Sequence, residues 1–281
     1  MQTSLLTWST IGRQPLFFTE SARRAALHAL AAVAGGFILL FAIVDDHIHL
    51  VIQVDPKKFG ILTRSLTTVL RSRVDAQLSS VFVRAVETRN HLVNLVAYCL
   101  TQPAHHRLPW DASTTTGSCF PDMIGARRIP GLTVRIGSAL PRFQLRDAYA
   151  AVEFPLVPLE PADDATIHMM GAVRLAELTA EAFGADPVLA TNHHSSVLAR
   201  RVFAVLAENC GFRPYDIARA LSITPTAAAR LTHRSVAPGD TRTVRMRVAL
   251  EIAAAARALP TAVREPEAPS YNVQNQEIAA A

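Results

Sequence analysis

Residues 37–54 are FILLFAIVDDHIHLVIQV, a long apolar run that contains two closely spaced histidines. Its many β-branched and aromatic residues predict one buried strand from Phe37 to Val54. Side chains alternate across a strand, so His47 and His49 are expected on the same face. Two imidazoles on one face form half of a candidate metal site.

A second motif, YCLTQ at residues 98–102, lies at the end of a predicted helix over Asn90–Leu100. Tyr98 and Gln102 are four residues apart, so in a helix they share a face. A divalent metal held beside a tyrosine hydroxyl is suited to cutting a phosphodiester through a covalent intermediate. The two motifs together therefore predict a metal-dependent nucleophilic site.

The segments around these motifs alternate between strand and helix patterns. This order predicts an α+β fold, in which an antiparallel sheet is covered by helices. The predicted elements are a strand over Ser4–Ser9, a helix from Thr19 or Ser21 to Ala34, the histidine strand, a helix over Lys57–Leu78, a strand over Phe82–Val86 and the tyrosine helix.

The second half of the chain has a different, all-helical pattern. Two short helices separated by a three-residue turn at Ser222–Thr224 are typical of a helix-turn-helix. The helices predicted here are Thr166–Phe183, Ser195–Asn209, Pro214–Ala220, Pro225–His233 and Val244–Ala258. We therefore predict a nuclease-like domain over 1–125, a proline-rich linker with a connecting helix over 126–191, a helix-turn-helix domain over 192–260 and a disordered tail over 261–281.

Composition narrows the class of protein. The 281-residue chain has a net charge of +5, and basic residues outnumber acidic ones in 1–110 and 192–281 but not between them. Two basic ends predict two segments that face nucleic acid. The three cysteines include no C-x-x-C pair, which predicts a reducing compartment and no disulfide framework. The location expected is cytoplasmic and nucleoid-associated.

One segment, Ala25–Val44, is apolar and long enough to cross a membrane. Gly35 and Gly36 divide it into an alanine-rich helical half and a strand-like half, however. We therefore predict that it does not cross a membrane.

Several short motifs, taken in order, resemble the REP-associated tyrosine transposases. These belong to the single-tyrosine HUH transposases, in which HUH denotes histidine, hydrophobic residue, histidine. The resemblance covers roughly residues 5–125. The residues that carry it are RQPLFF at 13–18, the histidine strand, RAVE at 84–87, Tyr98 with Gln102 and Pro103, and LPW at 108–110 followed by Ser113 and Gly117.

The resemblance implies a ferredoxin-like HUH nuclease fold and a specific chemistry. Tyr98 would attack a phosphate of single-stranded DNA and form a 5′-phosphotyrosine, while His47, His49 and Gln102 would ligate Mg²⁺ or Mn²⁺. The substrate would be a hairpin-forming repeat, and the protein would act as a monomer or homodimer. Two positions depart from the usual family pattern: Asp46 replaces an asparagine, and Gln102 stands where asparagine is common.

Further residues are candidates for contacts with DNA. Arg71, Arg73 and Arg84 are expected to face substrate phosphates. The C-terminal module resembles those that close bacterial replication initiators, which implies duplex recognition in the major groove through its second helix. Its candidates are Thr224, Thr226, Arg230 and His233 for bases, and Arg200, Arg201, Arg242, Arg245 and Arg247 for phosphates. His105 and His106 are competing metal ligands.

Two alternatives stay open at this point. The chain would also fit a catalytically inactive, transposase-derived protein that binds DNA through its helix-turn-helix. The residues DDHIH at 45–49 also fit the Asp-x-His-x-His start of zinc amidohydrolases. That second class needs a barrel of eight βα units, and the later chain lacks regular strands.

Overall fold

The computed structural model describes residues 1–73, 77–155 and 157–258, with Arg13 described for its backbone alone. The predicted tail over 261–281 lies outside the described residues. The fold is mixed α+β. The strands are β1 (Gln2–Ser9), β2 (Ile38–Ile43), β3 (His47–Val54) and β4 (Phe82–Ala85). The helices are α1 (Glu20–Ala34), α2 (Pro56–Arg73), α3 (Arg89–Leu100), α4 (Gln102–His105), α5 (Phe120–Met123), α6 (Ile136–Ala139), α7 (Leu145–Ala151), α8 (Asp164–Met170), α9 (Ala172–Ala182), α10 (His194–Asn209), α11 (Pro214–Leu221), α12 (Pro225–Thr232) and α13 (Pro238–Ala258), with a 3₁₀ turn at Ile11–Arg13.

The four strands form one sheet in the order β2-β3-β1-β4, with neighbouring strands antiparallel. The prediction of a single strand over residues 37–54 is wrong, because β2 and β3 form a hairpin. Val44 N–H donates to the carbonyl of His47 at 3.0 Å across the turn. The physical reason is the pair Asp45-Asp46, since aspartate is a poor strand former and favours turns.

The two faces of the sheet carry different helices. Trp8 is paired with Ile48 across β1 and β3, and its indole N–H donates to the Thr67 hydroxyl of α2 at 3.0 Å. Helices α1 and α2 pack together on this face. Because side chains alternate along β3, His47 and His49 lie on the opposite face, where α3 is found.

Helix α1 begins and ends where the sequence predicts. The Thr19 hydroxyl accepts from the N–H of Ala22 at the N-terminus. The chain passes through Gly35 and Gly36 before β2, which confirms the predicted division of the apolar segment. Among the described residues, no helix combines the length and apolarity that crossing a bilayer requires.

The described residues bury two groups of apolar side chains. The first core surrounds the sheet with α1–α3, and it also takes in side chains from 126–154, such as Ile129 and Tyr149. The second core lies among α8–α12. Helix α13 contributes to both, with Leu250 in the first core and Val248 in the second. The domain boundaries given above stay predictions.

Three predicted helices differ in extent from the observed ones. The helix predicted over Lys57–Leu78 is α2, which ends at Arg73, and Leu78 instead pairs with Thr10 beside the end of β1. The helix predicted over Thr166–Phe183 is divided into α8 and α9 at Gly171, whose φ of 85° is incompatible with a helix. The closing helix α13 begins at Pro238 rather than at Val244, because proline is well tolerated at the first position of a helix. Cys99, Cys119 and Cys210 are buried free thiols.

Candidate functional site

Two buried imidazoles form the centre of the site. His47 is the first residue of β3 and His49 lies two residues later on the same face. Their Nε2 atoms are 2.8 Å apart. Two ligands bound at right angles to an ion with bonds of about 2.1 Å are about 3.0 Å apart. The observed separation therefore fits adjacent positions on one divalent cation.

Each imidazole is oriented by a partner at its other nitrogen. His47 Nδ1 is hydrogen-bonded to the carboxylate of Asp46. His49 Nδ1 lies 3.0 Å from the hydroxyl of Thr7, its cross-strand partner on β1. Metal-binding histidines usually donate their second ring N–H to such a group, which fixes the ring and leaves the other nitrogen as the ligand.

The Thr7 hydroxyl permits two arrangements of protons, since it both donates and accepts. When Thr7 accepts from His49 Nδ1–H, both Nε2 atoms carry lone pairs, and their 2.8 Å separation suits a shared cation. When Thr7 donates to His49 Nδ1, the proton of His49 is on Nε2 and is donated to His47 Nε2. The two histidines are then hydrogen-bonded to each other without a metal. The same side chains therefore fit the site with or without a metal.

The electrostatics of His49 favour a neutral ligand. Burial and the neighbouring His47 lower the pKa of His49 to about 3. A neutral imidazole keeps the lone pair that a metal requires, so protons do not compete for this nitrogen near neutral pH.

Tyr98 lies next to this histidine pair. Its hydroxyl is 3.1 Å from His49 Nε2, and its side chain is 41% exposed. Helix α3 buries Leu95 and Cys99 against the sheet, which leaves Tyr98 at the open margin of the site. Burial, followed by the adjacent Cys99, raises the pKa of Tyr98. The hydroxyl therefore needs a nearby cation or base to act as a nucleophile.

Gln102 completes the set predicted from the sequence. Its side chain is 2% exposed, and Nε2 donates to the backbone carbonyl of Tyr98 at 3.1 Å. The amide is also close enough to the side chains of His49 and Tyr98 to influence the pKa of each. The structure thus brings His47, His49, Tyr98 and Gln102 together, although α3 ends at Leu100 and Gln102 begins α4.

One further histidine adjoins the site. Ligand atoms of Asp46, His47 and His106 all lie within 4.8 Å of one another, and His106 is partly buried. His106 Nδ1 is also 3.9 Å from the carboxylate of Asp45. Burial and His47 lower the pKa of His106. Its position in the chain, four residues after Gln102, was the sequence signal for this contact.

An open groove of about 460 Å³ extends from the site along β1, β4 and α3. Arg84 and Phe82 of β4 line it together with His49, His91 and Tyr98. Because Arg84 is paired with Leu5 and Phe82 with Thr7, both lie on the histidine face of the sheet. The sequence pattern indicates Arg84 but not Phe82, Thr7 or His91, since the pairing of strands is not visible in the sequence.

Arg71 and Arg73 are placed elsewhere. Both lie in the last turn of α2, on the opposite face of the sheet from Tyr98. Arg71 donates to the carbonyl of Leu78 at 3.1 Å, and Arg73 lines a separate cavity beside His28. The structure does not bring these two arginines to the groove.

The C-terminal candidates for contacts with bases lie on and beside α12, whereas those for phosphates lie on α10 and α13. Thr224 caps this helix by accepting from the N–H of Ala227, and Thr226, Arg230 and His233 are exposed on it or next to it. The prediction that Arg247 contacts phosphate is wrong. Arg247 is 5% exposed, donates to the carbonyl of Thr114 at 3.0 Å and is ion-paired with Glu181.

The zinc amidohydrolase alternative requires eight parallel strands in a barrel. The described residues instead form one four-stranded antiparallel sheet. Comparison of the chain with protein-family models, with curated proteins and with solved structures found no match. The geometry of the site is therefore the basis for the proposed function.

Proposed function

We propose that this protein is a metal-dependent endonuclease and strand transferase for single-stranded DNA, in which Tyr98 forms a covalent 5′-phosphotyrosine. This is the activity of the HUH transposases that residues 5–125 resemble. The observation that carries the proposal is the short chain of contacts from Tyr98 Oη to His49 Nε2, 3.1 Å, and on to His47 Nε2, 2.8 Å.

His47, His49 and Gln102 are the residues that would hold Mg²⁺ or Mn²⁺. The bound cation would polarise the scissile phosphate and favour the ionised tyrosine hydroxyl. Asp46 and Thr7 would hold the two imidazoles with their Nε2 atoms available to the cation. Gln102 additionally fixes the end of the tyrosine helix through its bond to the carbonyl of Tyr98.

The groove supplies the route for the substrate. A single strand that follows β4 would pass Arg84 and Phe82 before it reaches Tyr98. The guanidinium of Arg84 suits a phosphate, and the exposed ring of Phe82 suits stacking with a base. Attack by the Tyr98 oxygen on phosphorus would form the new P–O bond and release the 3′-hydroxyl of the preceding nucleotide.

The C-terminal helices would add recognition of duplex DNA. We propose that α11 and α12 act as a helix-turn-helix, with Thr226, Arg230 and His233 on the reading helix. Their exposure leaves them accessible to a groove of DNA. The same surface supports a second candidate, a DNA-binding protein that has lost catalysis.

The test is incubation of the purified full chain with labelled single-stranded hairpin oligonucleotides and Mn²⁺, followed by a denaturing gel. A protease-sensitive adduct that EDTA prevents and that Tyr98→Phe lacks is the expected result. Tyr215→Phe is the matched control, because Tyr215 is an exposed tyrosine of α11. Cleavage that survives in Tyr98→Phe would contradict the nucleophile assignment. DNA retardation on a native gel without any adduct would favour the inactive DNA-binding protein.

A further inference from the structure

A cavity of about 590 Å³ lies on the α1–α2 side of the sheet, away from Tyr98. One wall comes from α1 and the end of α2, which belong to the first core. The other comes from Gly184, the segment that follows it and the first turn of α10. Its volume is within the range of pockets that bind small molecules.

The floor of this cavity is made of small apolar side chains. Ala25, Ala29 and Ala32 lie on one face of α1, since they are four and three residues apart. Val69 of α2 and Pro130 extend the same apolar surface. The alanines leave room that larger side chains would fill. The alanine-rich half of residues 25–44 therefore helps to form the cavity.

The rim is positively charged. Arg24 and Arg73 line it with His193, and the acid among its lining residues is Asp186, 3.8 Å from Arg24. His28 donates to the carbonyl of Gly184 at 2.6 Å. Burial lowers the pKa of His28, whereas the bond to Gly184 raises it. The nearby Arg24, Arg73 and His193 lower it further, so that the net shift is downward. Two guanidinium groups and one carboxylate give the lining residues a formal net charge of +1 even when their histidines are neutral.

Helix α10 directs its first turn at the same rim. Its N-cap residue, His193, provides no side-chain hydrogen bond to the free N–H groups of that turn. Ser195 and Ser196 line the cavity there, and the Ser196 hydroxyl is 2.8 Å from that of Thr191. Free N–H groups at the start of a helix bind phosphate oxygens when cationic side chains stand beside them.

We infer that this cavity binds a phosphate-bearing ligand of nucleotide size. Its phosphate would lie between Arg24, Arg73 and the first turn of α10, and its base would lie on the alanine floor. The ligand is either a free nucleotide or one nucleotide of a DNA strand that passes over this face. The inference does not depend on the chemistry proposed for Tyr98.

The experiment is a fluorescence anisotropy titration of the full chain with methylanthraniloyl-ATP in EDTA, with inorganic pyrophosphate as competitor. Arg73→Ala is the decisive variant, because Arg73 is exposed at the end of α2. It should raise the dissociation constant by about tenfold or more, the effect of losing a hydrogen bond to a charged group. Arg64→Ala, an exposed arginine on the same helix, is the matched control and should leave binding unchanged.

A second variant tests the apolar floor of the cavity independently of its positively charged rim. Ala32→Leu fills the floor at an exposed position, so it should weaken binding of the labelled nucleotide and spare that of pyrophosphate. A parallel titration with a labelled oligothymidine identifies the source of the ligand. Saturable binding of the nucleotide that needs Arg73 supports a free nucleotide, whereas an effect of Arg73→Ala on the oligonucleotide alone supports a DNA strand. Equal behaviour of Arg73→Ala and Arg64→Ala with both probes would overturn the inference.

Discussion

Asp46 and Thr7 are the residues that orient the two histidines of the proposed metal site. Without a partner at Nδ1, each imidazole is free to present either nitrogen, and the 2.8 Å approach of the two Nε2 atoms would not be maintained. Asp46 does this for His47 and Thr7 does it for His49. Asp46, which stands where the transposases that the chain resembles usually have asparagine, thus has a structural role here.

Replacing Asp46 tests this role. Asp46→Ala should weaken Mn²⁺ binding by about tenfold to a hundredfold, the usual effect of losing the partner of a ligating histidine. Asp46→Asn should weaken it less, since the amide oxygen still accepts from His47 Nδ1–H. Isothermal titration calorimetry measures both, with Glu87→Ala as an exposed acidic control. Equal affinity in Asp46→Ala and the unaltered chain would contradict the orienting role.

A pair of variants would identify the third ligand of the proposed metal. The side chain of Gln102 donates to the backbone carbonyl of Tyr98 and influences the pKa of His49, whereas His106 Nδ1 lies 3.9 Å from the carboxylate of Asp45. We therefore expect Gln102→Ala to weaken Mn²⁺ binding by about tenfold or more, and His106→Ala to weaken it less. The reverse order, measured by the same calorimetry, would assign the third ligand to His106.

Sequence spacing was sufficient to select the residues that the structure brings together. The alternation of side chains along a strand predicts that His47 lies beside His49. The helical repeat predicts that Tyr98 lies near Gln102. It was not sufficient to find Thr7, because the register between β1 and β3 depends on pairing over long separations. The role of Asp46 was hidden for a related reason, since a single strand would place it on the opposite face from His47.

At the level of elements, the passage from α1 to β2 depends on a close backbone approach. A Cβ atom on Gly35 would lie 1.7 Å from the carbonyl oxygen of Gly131. Gly35 has an ordinary helical φ of −51°, so its lack of a side chain serves packing rather than backbone freedom. The Gly35-Gly36 signal was visible in the sequence, but the partner segment at Gly131 was not.

Two glycine substitutions should therefore have opposite effects. Gly35→Ala should destabilise the protein by about 1–3 kcal/mol or more, because the backbone of Gly131 must move. Gly60→Ala should stabilise it by about 0.5–1 kcal/mol, because Gly60 is an exposed position within α2 with open space around it. Urea unfolding midpoints measure both, and a neutral Gly35→Ala would show that the approach is relaxed at no cost.

Over the whole molecule, α13 joins the two cores. Leu250 is fully buried in the first core, and Val248 is fully buried in the second. Leu250→Ala should cost about 2–5 kcal/mol of stability. Ile252→Ala, a half-exposed position on the same helix, should cost less than half as much. Equal urea midpoints for the two variants would contradict a structural role for α13 in the first core.

A second link between the cores, His28, predicts a dependence of stability on pH. The pKa of His28 is lowered in the folded chain, so just below pH 6.5 the unfolded chain binds a proton that the folded chain does not. Stability should therefore fall as the pH drops through this range. His28→Gln should reduce that fall, measured as urea midpoints between about pH 7.5 and about pH 5. His233→Gln, at an exposed histidine, should not.

The dual packing of α13 also has a consequence for how the chain folds during its synthesis. The sheet and its helices leave the ribosome first, yet Met246, Leu250 and Ala254, which complete their core, leave it only after residues 1–245. Domains commonly fold in the order in which they are made. Here the N-terminal half keeps a patch of its interior uncovered until the last described helix arrives, so the growing chain exposes apolar surface that a chaperone can recognise.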